Sequence, residues 1–182
     1  MIDEERDQVL EGDEGEPEVG RHRDVGRLML ETPISELKRA GAATVAPTAT
    51  VGRAVEVMRK KKVSAVLVVQ KRNGRDRLAG IFTERDLVDR ALAARGWQRA
   101  PVKKYMTARP ETLRPRDPVA YAFNKMSVGR FRHVPLVDGH GAPVGMISAR
   151  DIADFVVELC PEELLNLPPE PDLAIHPRPE GD

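Results

Sequence analysis

An internal repeat constrains the fold of this chain more than any other feature of its sequence. When the 182-residue chain is shifted by 68 positions, identical residues coincide from a proline-led turn to a strand-like segment. The identical pairs are Pro33 and Pro101, Thr44 and Thr112, Pro47 and Pro115, Val51 and Val119, Ala54 and Ala122, Met58 and Met126, Val66 and Val134, and Val69 and Val137. After a loop that is three residues shorter, a shift of 65 aligns Gly80 with Gly145, Thr83 with Ser148, Arg85 with Arg150, Asp86 with Asp151, and Asp89 with Asp154. Two copies of this length indicate a duplicated domain with a pseudo-twofold axis, because open arrays use shorter and more numerous units.

Each copy has the pattern of a β-α-β-β-α unit. A proline at a first helical position opens each copy, and a short extended piece follows, at residues 44–46 or 112–114. Apolar residues at helical spacing then predict a helix, and two apolar runs separated by a turn predict a strand pair. The pairs are 65–69 with 78–82, and 134–137 with 143–147, and Thr83 or Ser148 opens the last helix. The predicted fold class is α/β (α+β), with the two related motifs forming one module.

The two ends of the chain differ from the repeat. Residues 1–20 contain nine acidic residues and few large apolar groups, so they cannot bury enough surface to offset the entropy of ordering. We therefore predict a disordered acidic tail over 1–27, a first motif over 28–98, a second over 99–160, and a proline-rich tail over 161–182.

Composition excludes several classes of protein. Lys and Arg total 29 and Asp and Glu total 29, so the formal net charge is +0 and broad binding to nucleic acid is not expected. The single cysteine, Cys160, rules out an intrachain disulfide and a cysteine-rich zinc site. No run approaches the ~20 apolar residues of a membrane span, and the acidic start lacks a signal-peptide pattern. We expect a cytoplasmic protein without membrane insertion.

The repeated motifs resemble those of a known family. The segments 80–86 (GIFTERD) and 145–151 (GMISARD) look like the signature that closes each cystathionine-β-synthase (CBS) domain, and 132–138 (RHVPLVD) resembles the segment before its strand pair. The resemblance covers roughly 28–159, as a tandem pair or Bateman module. It implies two clefts, an adenosine-containing ligand such as AMP, ADP, ATP or S-adenosylmethionine, a homodimer, and regulation of a partner protein. No required cofactor is implied.

The Thr83-x-x-Asp86 and Ser148-x-x-Asp151 motifs have two interpretations. A hydroxyl at the N-cap with an acid three residues later forms a capping box, which stabilises a helix by about 1 kcal/mol. The resemblance adds a second role, in which the carboxylate accepts the ribose hydroxyls and works with the opening strand of the other copy. The implied partners of Asp151 and Ser148 are Thr44, Val45 and Ala46. The implied partners of Asp86 and Thr83 are Thr112 and Leu113.

The resemblance also implies that the two clefts differ in charge. The second copy has Arg132 and His133 where the first has Ser64 and Ala65. Arg132 can hold a phosphate bidentately, and His133 adds a donor or a charge near neutral pH. The alternative for Arg132 and His133 is that they are solvated residues at a strand entrance. Arg85 and Arg150 are further phosphate candidates beside each acid. We therefore expect the Asp151 cleft to take the charged nucleotide, and the Asp86 cleft to be empty or to take a less charged ligand.

Two functions remain open from sequence. The first is a sensor that binds an adenine nucleotide and signals occupancy to an unknown effector protein. The second is a structural or interaction module with degenerate clefts that acts through its dimer surface. An enzyme is not expected, since the chain lacks a nucleophile–base pair, a metal cluster and a G-x-x-x-x-G-K loop. The apolar helix positions predicted to form the dimer are Val51, Val55, Met58, Leu87, Ala91, Val119, Phe123, Met126, Ile152 and Val156.

Overall fold

The computed structural model describes residues 19–38, 41–161 and 165–166. Helix α1 (Val19–Glu31) precedes the first repeat, which contains β1 (Thr44–Val45), α2 (Val51–Lys61), β2 (Ala65–Arg72), β3 (Arg75–Thr83) and α3 (Glu84–Asp86). The second repeat contains β4 (Thr107–Ala108), α4 (Val119–Gly129), β5 (His133–Val137), β6 (Pro143–Ser148) and α5 (Ala149–Leu159). Short 3-10 turns lie at Ile34–Glu36, Trp97–Arg99 and Val102–Lys104. This mixture of helices and sheets confirms the predicted α+β class.

Helices α2 and α4 occupy equivalent positions in the two repeats, and the residue that follows each of them has the same backbone conformation. The Oγ1 atom of Thr50 accepts a hydrogen bond from the Arg53 amide at 3.1 Å and so caps the start of α2. Lys62, after α2, and Arg130, after α4, both have a φ of 54°. These two residues coincide under the 68-residue shift, so the duplication extends to backbone conformation. In each repeat, this residue in the left-handed conformation ends the helix and directs the backbone into the next strand.

The strands form two separate sheets. The first has the order β1-β2-β3-β4, and the second pairs β5 with β6. Strand β1 runs parallel to β2, and the other pairs are antiparallel. Strand β4 follows the second opening turn in the chain, yet it pairs with β3 of the first repeat. A Cβ atom on Gly80 would lie 2.7 Å from the Thr107 carbonyl oxygen, so glycine is what allows β4 to approach β3 this closely.

Each opening turn packs into the core of the other repeat. Ile34 and Leu37 precede β1 but lie in the core of the second repeat, with Val119, Val134 and Leu136. Backbone hydrogen bonds fix this crossing, because the Ile34 amide donates to the Asp117 carbonyl at 2.9 Å.

The second opening turn does the same in the opposite direction. Val102 and Tyr105 lie in the core of the first repeat, with Val66 and Phe82. The Val102 amide donates to the Ala49 carbonyl at 2.7 Å. Neither core is therefore built from one repeat alone.

The prediction of a disordered tail over 1–27 is wrong for its last nine residues, which lie in α1. Val25 and Met29 are half-buried, and Met29 packs against the core of the second repeat. Helix α1 lies against α4, so a local apolar pair at helical spacing, one turn apart, outweighs the acidic composition before it. Residues 1–18 and most of the predicted C-terminal tail lie outside the described residues.

The prediction that ten apolar helix positions are left uncovered in one protomer, and so form the dimer surface, is also wrong for nine of them. Of the ten apolar positions named above, only Phe123 is exposed, and the others are buried or half-buried within one protomer. The two cores cover them because each receives an opening turn from the other repeat. Different apolar side chains are exposed, namely Val88, Leu92, Tyr121 and Val128. Over the described residues, no helix combines the length and the apolar character that crossing a membrane requires.

Candidate functional site

A cleft of about 410 Å3 lies beside Asp86. It is bounded by the end of β3, by α3, by β4 and the residues after it, and by the segment between α4 and β5. A volume of this size lies within the range of small-molecule sites. We refer to it as the Asp86 cleft.

A capping box fixes the Asp86 carboxylate at the wall of this cleft. Its Oδ2 atom accepts hydrogen bonds from the Thr83 amide at 3.0 Å and from the Thr83 hydroxyl at 2.8 Å. In return, the Asp86 amide donates to Thr83 Oγ1 at 3.2 Å. The box forms because the extended backbone of Thr83 ends β3 where α3 begins. The structural interpretation of this motif is therefore confirmed.

The second oxygen of Asp86 is held by two other residues. Arg90 Nη1 lies 3.0 Å from Asp86 Oδ1, and the Thr107 hydroxyl donates to the same atom at 3.3 Å. Asp86 is 6% exposed, and among the described residues it is the one charged residue that is buried. A buried carboxylate needs this set of partners, because an unpaired charge in the interior is costly.

Basic side chains outnumber acidic ones around the cleft. Five arginines line it, against the acidic residues Glu84, Asp86 and Glu111. The five are Arg85, Arg90, Arg109, Arg130 and Arg132. Arg85 donates to the Arg130 carbonyl at 2.7 Å, which joins α3 to the end of α4. Such a lining favours an anionic ligand.

His133 also lines the Asp86 cleft. Its Nε2 atom is 2.9 Å from the hydroxyl of Ser64, the residue that precedes β2 in the first repeat. Burial lowers the pKa of His133 below its usual value, and the Arg132 charge lowers it further, against an opposing effect of Asp151. Burial and the neighbouring Arg132 charge both lower this pKa, so both disfavour the charged imidazolium form of His133.

A second, smaller cleft lies beside Asp151. Its volume is about 190 Å3, and its lining is acidic, with Glu36, Asp151, Asp154 and Glu158 against Lys38. Lys38 donates to Glu158 at 2.9 Å, and this hydrogen bond raises the pKa of Lys38. We refer to it as the Asp151 cleft.

The Asp151 carboxylate is held by Ser148. Its Oδ2 atom accepts from the Ser148 amide at 2.6 Å and from the hydroxyl at 2.7 Å, and the Asp151 amide donates back at 3.3 Å. Within the described part of the chain, Oδ1 of Asp151 has no second set of partners like that of Asp86. The two capping boxes have the same hydrogen bonds, but the Oδ1 atoms differ, because Asp86 Oδ1 contacts Arg90 and Thr107.

The family is decided by sequence. The sequence profile of the CBS domain matches residues 25–93 and 102–158. The chain belongs to the CBS domain family. Proteins that carry a CBS pair are generally regulatory modules rather than enzymes.

Individual relatives agree with this assignment. The meiotically up-regulated gene 70 protein of Schizosaccharomyces pombe is 39% identical over 116 residues, which cover 63% of this chain and only 15% of that protein. A CBS domain protein from Pyrobaculum aerophilum, solved in complex with AMP, is 28% identical with a TM-score of 0.63, and the match covers 71% of this chain and 99% of that one.

A third comparison concerns the fold alone. The CBS domain pair of protein MJ0100, solved with 5′-methylthioadenosine and S-adenosyl-L-methionine, is 23% identical with a TM-score of 0.62. The match covers 70% of this chain and 97% of that one.

The pairing expected between the CBS repeats needs correction. Arg132 and His133 line the Asp86 cleft and not the Asp151 cleft to which they were assigned. The hydrogen bond between His133 and Ser64 explains this, because it joins the start of β5 to the residue that precedes β2. Arg150 lines a separate groove with Arg59 and Lys62.

The opening strands of the CBS repeats are also placed differently from the expectation. Thr44 and Val45 pair with β2 of their own repeat, and Ala46 follows them. None of the three lines the described part of the Asp151 cleft. Leu113 is buried in the second core, and neither it nor Thr112 lines the Asp86 cleft. Whether any of these residues contacts a ligand stays a prediction.

Sequence reasoning missed several residues of the cleft. Thr107 contacts Asp86 because β4, a strand of two residues, pairs with β3. This strand lies before residues 112–114, where the sequence predicts an extended segment. Under the 68-residue shift, Thr107 corresponds to Arg39, which lies outside the described residues. Arg90 could have been found from its position four residues after Asp86.

Proposed function

We propose that this protein is a regulatory CBS pair whose Asp86 cleft binds a phosphorylated adenosine and signals its occupancy to an effector protein in the cytoplasm. One observation carries the proposal: a buried carboxylate, held by a capping box, faces a cleft that is lined by five arginines. A carboxylate can accept hydrogen bonds from both hydroxyls of a ribose, and arginines suit phosphate oxygens.

The lining divides the cleft by chemistry. Asp86 lies on one wall of the cleft, where its carboxylate would accept hydrogen bonds from the ribose hydroxyls. Arg109 lies after β4, and Arg130 and Arg132 lie between α4 and β5, where phosphates would bind. Ile81, Pro110 and Phe131 supply apolar surface for a base. AMP, ADP and ATP fit this arrangement, and the AMP complex of the Pyrobaculum aerophilum relative supports the same ligand class.

The Asp151 cleft suits a different ligand under this proposal. Its acidic lining disfavours phosphates and is compatible with an uncharged or cationic adenosine such as S-adenosylmethionine. The sequence predicts the charged nucleotide in the Asp151 cleft. The proposal places it in the Asp86 cleft instead, because Arg132 and His133, on which that prediction depended, line the Asp86 cleft.

Binding of adenosine ligands to the purified 182-residue chain tests the proposal. AMP, ADP or ATP at about 100 times its dissociation constant is expected to stabilise the fold by about 2.7 kcal/mol. Differential scanning fluorimetry and calorimetric titration measure this stabilisation, with adenosine and S-adenosylmethionine as further ligands. If no adenosine ligand changes the melting temperature at millimolar concentration, the alternative of an interaction module without a bound ligand is favoured.

We also propose that the protein forms a homodimer, because apolar side chains remain exposed on α4 and on the turn after α3. Tyr121, Phe123 and Val128 are 57%, 55% and 77% exposed, and Val88 and Leu92 are also exposed. A stable interface that covers them would bury at least about 1,200 Å2 in total. Light scattering at micromolar concentration is expected to give twice the mass of one chain, and a monomer at all concentrations would contradict the dimer.

A further inference from the structure

Arg90 distinguishes the Asp86 cleft from the Asp151 cleft at the atom where a ribose would bind. It lies in a π-helical turn, Leu87–Ala91, directly after the capped start of α3. The corresponding position in the second repeat, under the 65-residue shift, is Phe155, in the regular helix α5. An arginine that contacts the carboxylate is therefore present beside Asp86 and missing beside Asp151.

The contacts of Arg90 occupy the oxygen that a ribose needs. Arg90 lies 3.0 Å from Asp86 Oδ1, while Oδ2 is engaged in the capping box. The same guanidinium donates to the Tyr105 carbonyl at 3.4 Å and to the Thr107 hydroxyl at 3.3 Å. Two ribose hydroxyls cannot both bind Asp86 unless Arg90 moves away from it.

Arg90 has room to move. Its side chain is 52% exposed, whereas that of Asp86 is 8% exposed, so the arginine is the mobile member of the ion pair. It also lines the cleft together with Arg109. A displaced guanidinium would therefore remain within the cleft, where a ligand phosphate can replace the carboxylate as its partner.

We propose that Arg90 makes the Asp86 cleft selective for phosphorylated adenosines over adenosine, by exchanging its ion pair with Asp86 for one with the ligand phosphate. Adenosine has to break the Arg90–Asp86 pair without offering Arg90 another anion. A nucleotide breaks the same pair and restores it on the phosphate. This inference rests on the proposed function, because it assumes that the ribose binds Asp86.

The exchange would also change the contacts of β4. When Arg90 leaves Asp86, it releases the Tyr105 carbonyl and the Thr107 hydroxyl, which hold the strand at the cleft. Strand β4 pairs with β3 at two positions only. A bound ribose that displaces Arg90 would therefore loosen this short strand.

The test compares the affinities for AMP and adenosine in the full chain. Calorimetric titration of the unmodified protein is expected to show tighter binding of AMP. Arg90→Gln is expected to lower that ratio of affinities by about tenfold or more, since it weakens AMP by one charged contact and frees Asp86 for adenosine. Arg53→Gln breaks an ion pair of similar length that is exposed on both sides, Arg53 with Glu56 at 2.9 Å, outside the cleft, and should leave the ratio unchanged.

A second variant guards against loss of folding. Arg90→Lys keeps the positive charge but not the planar fork, so it should retain part of the selectivity and a melting temperature near that of the parent. An unchanged ratio in both variants, or equal weakening of both ligands, would overturn the role of Arg90 while leaving the proposed function intact. If the unmodified protein binds neither AMP nor adenosine, the proposed function fails, and this proposal fails with it.

Discussion

Asp86→Ala is expected to weaken nucleotide binding by roughly a hundredfold or more. The substitution removes the carboxylate that would accept both ribose hydroxyls, and a hydrogen bond to a charged group contributes about 1.5–3 kcal/mol. Tenfold in affinity corresponds to about 1.4 kcal/mol, so the loss of both contacts removes most of the stabilisation by AMP. Calorimetric titration and the AMP-dependent shift in melting temperature measure the effect.

Asp151→Ala is the matched control for this change. Both substitutions remove the acidic residue of a capping box, so both cost the apo protein about 1 kcal/mol through the helix start. The two variants differ in the cleft that they alter and in the Arg90 ion pair, which only Asp86→Ala removes. AMP should still stabilise Asp151→Ala, and a loss of binding in this variant alone would place the nucleotide in the Asp151 cleft instead.

Leu136→Ala is expected to destabilise the whole module by about 2–5 kcal/mol. Leu136 is 0% exposed and lies in the core that contains Ile34 and Leu37. Removing its side chain leaves a cavity in a well-packed interior, which costs the transfer free energy and the lost contacts. Urea denaturation should show a lower midpoint with a single transition, because the crossing turns join the two cores.

Leu30→Ala provides the comparison on the surface. Leu30 is 59% exposed on α1, so its substitution is expected to change the free energy of unfolding by no more than about 0.5 kcal/mol. Two separate transitions in Leu136→Ala, with the first repeat unaffected, would contradict the coupling of the cores. Equal losses in the two variants would mean that α1 packs more tightly than its exposure indicates.

The local parts of the fold could be predicted from the sequence. The order β-α-β-β-α follows from apolar periodicity and turn residues, and both capping boxes follow from a hydroxyl and an acid three positions apart. These features depend on neighbours along the chain, so a single sequence contains them. The pairing of equivalent positions, such as Asp86 with Asp151, is also a property of the sequence alone.

The contacts between the repeats could not be predicted in this way. An alignment of the copies shows that Arg132 corresponds to Ser64, but it does not show which faces meet at the axis. His133 therefore came to lie beside Ser64 and the Asp86 cleft, against expectation. Thr107 was missed for the same reason, since β4 gains its place from pairing with a strand of the other repeat.

The crossing of the opening turns has a consequence for the history of the chain. A polypeptide with one repeat alone would have no residue to fill the place where Ile34 or Val102 packs, unless it traded openings with a second copy of itself. The tandem protein therefore has the architecture of a domain-swapped dimer whose two halves are joined in one chain. Fusion makes the partner intramolecular, and it frees each half to diverge, as the arginine beside Asp86 and the phenylalanine at the corresponding position have done.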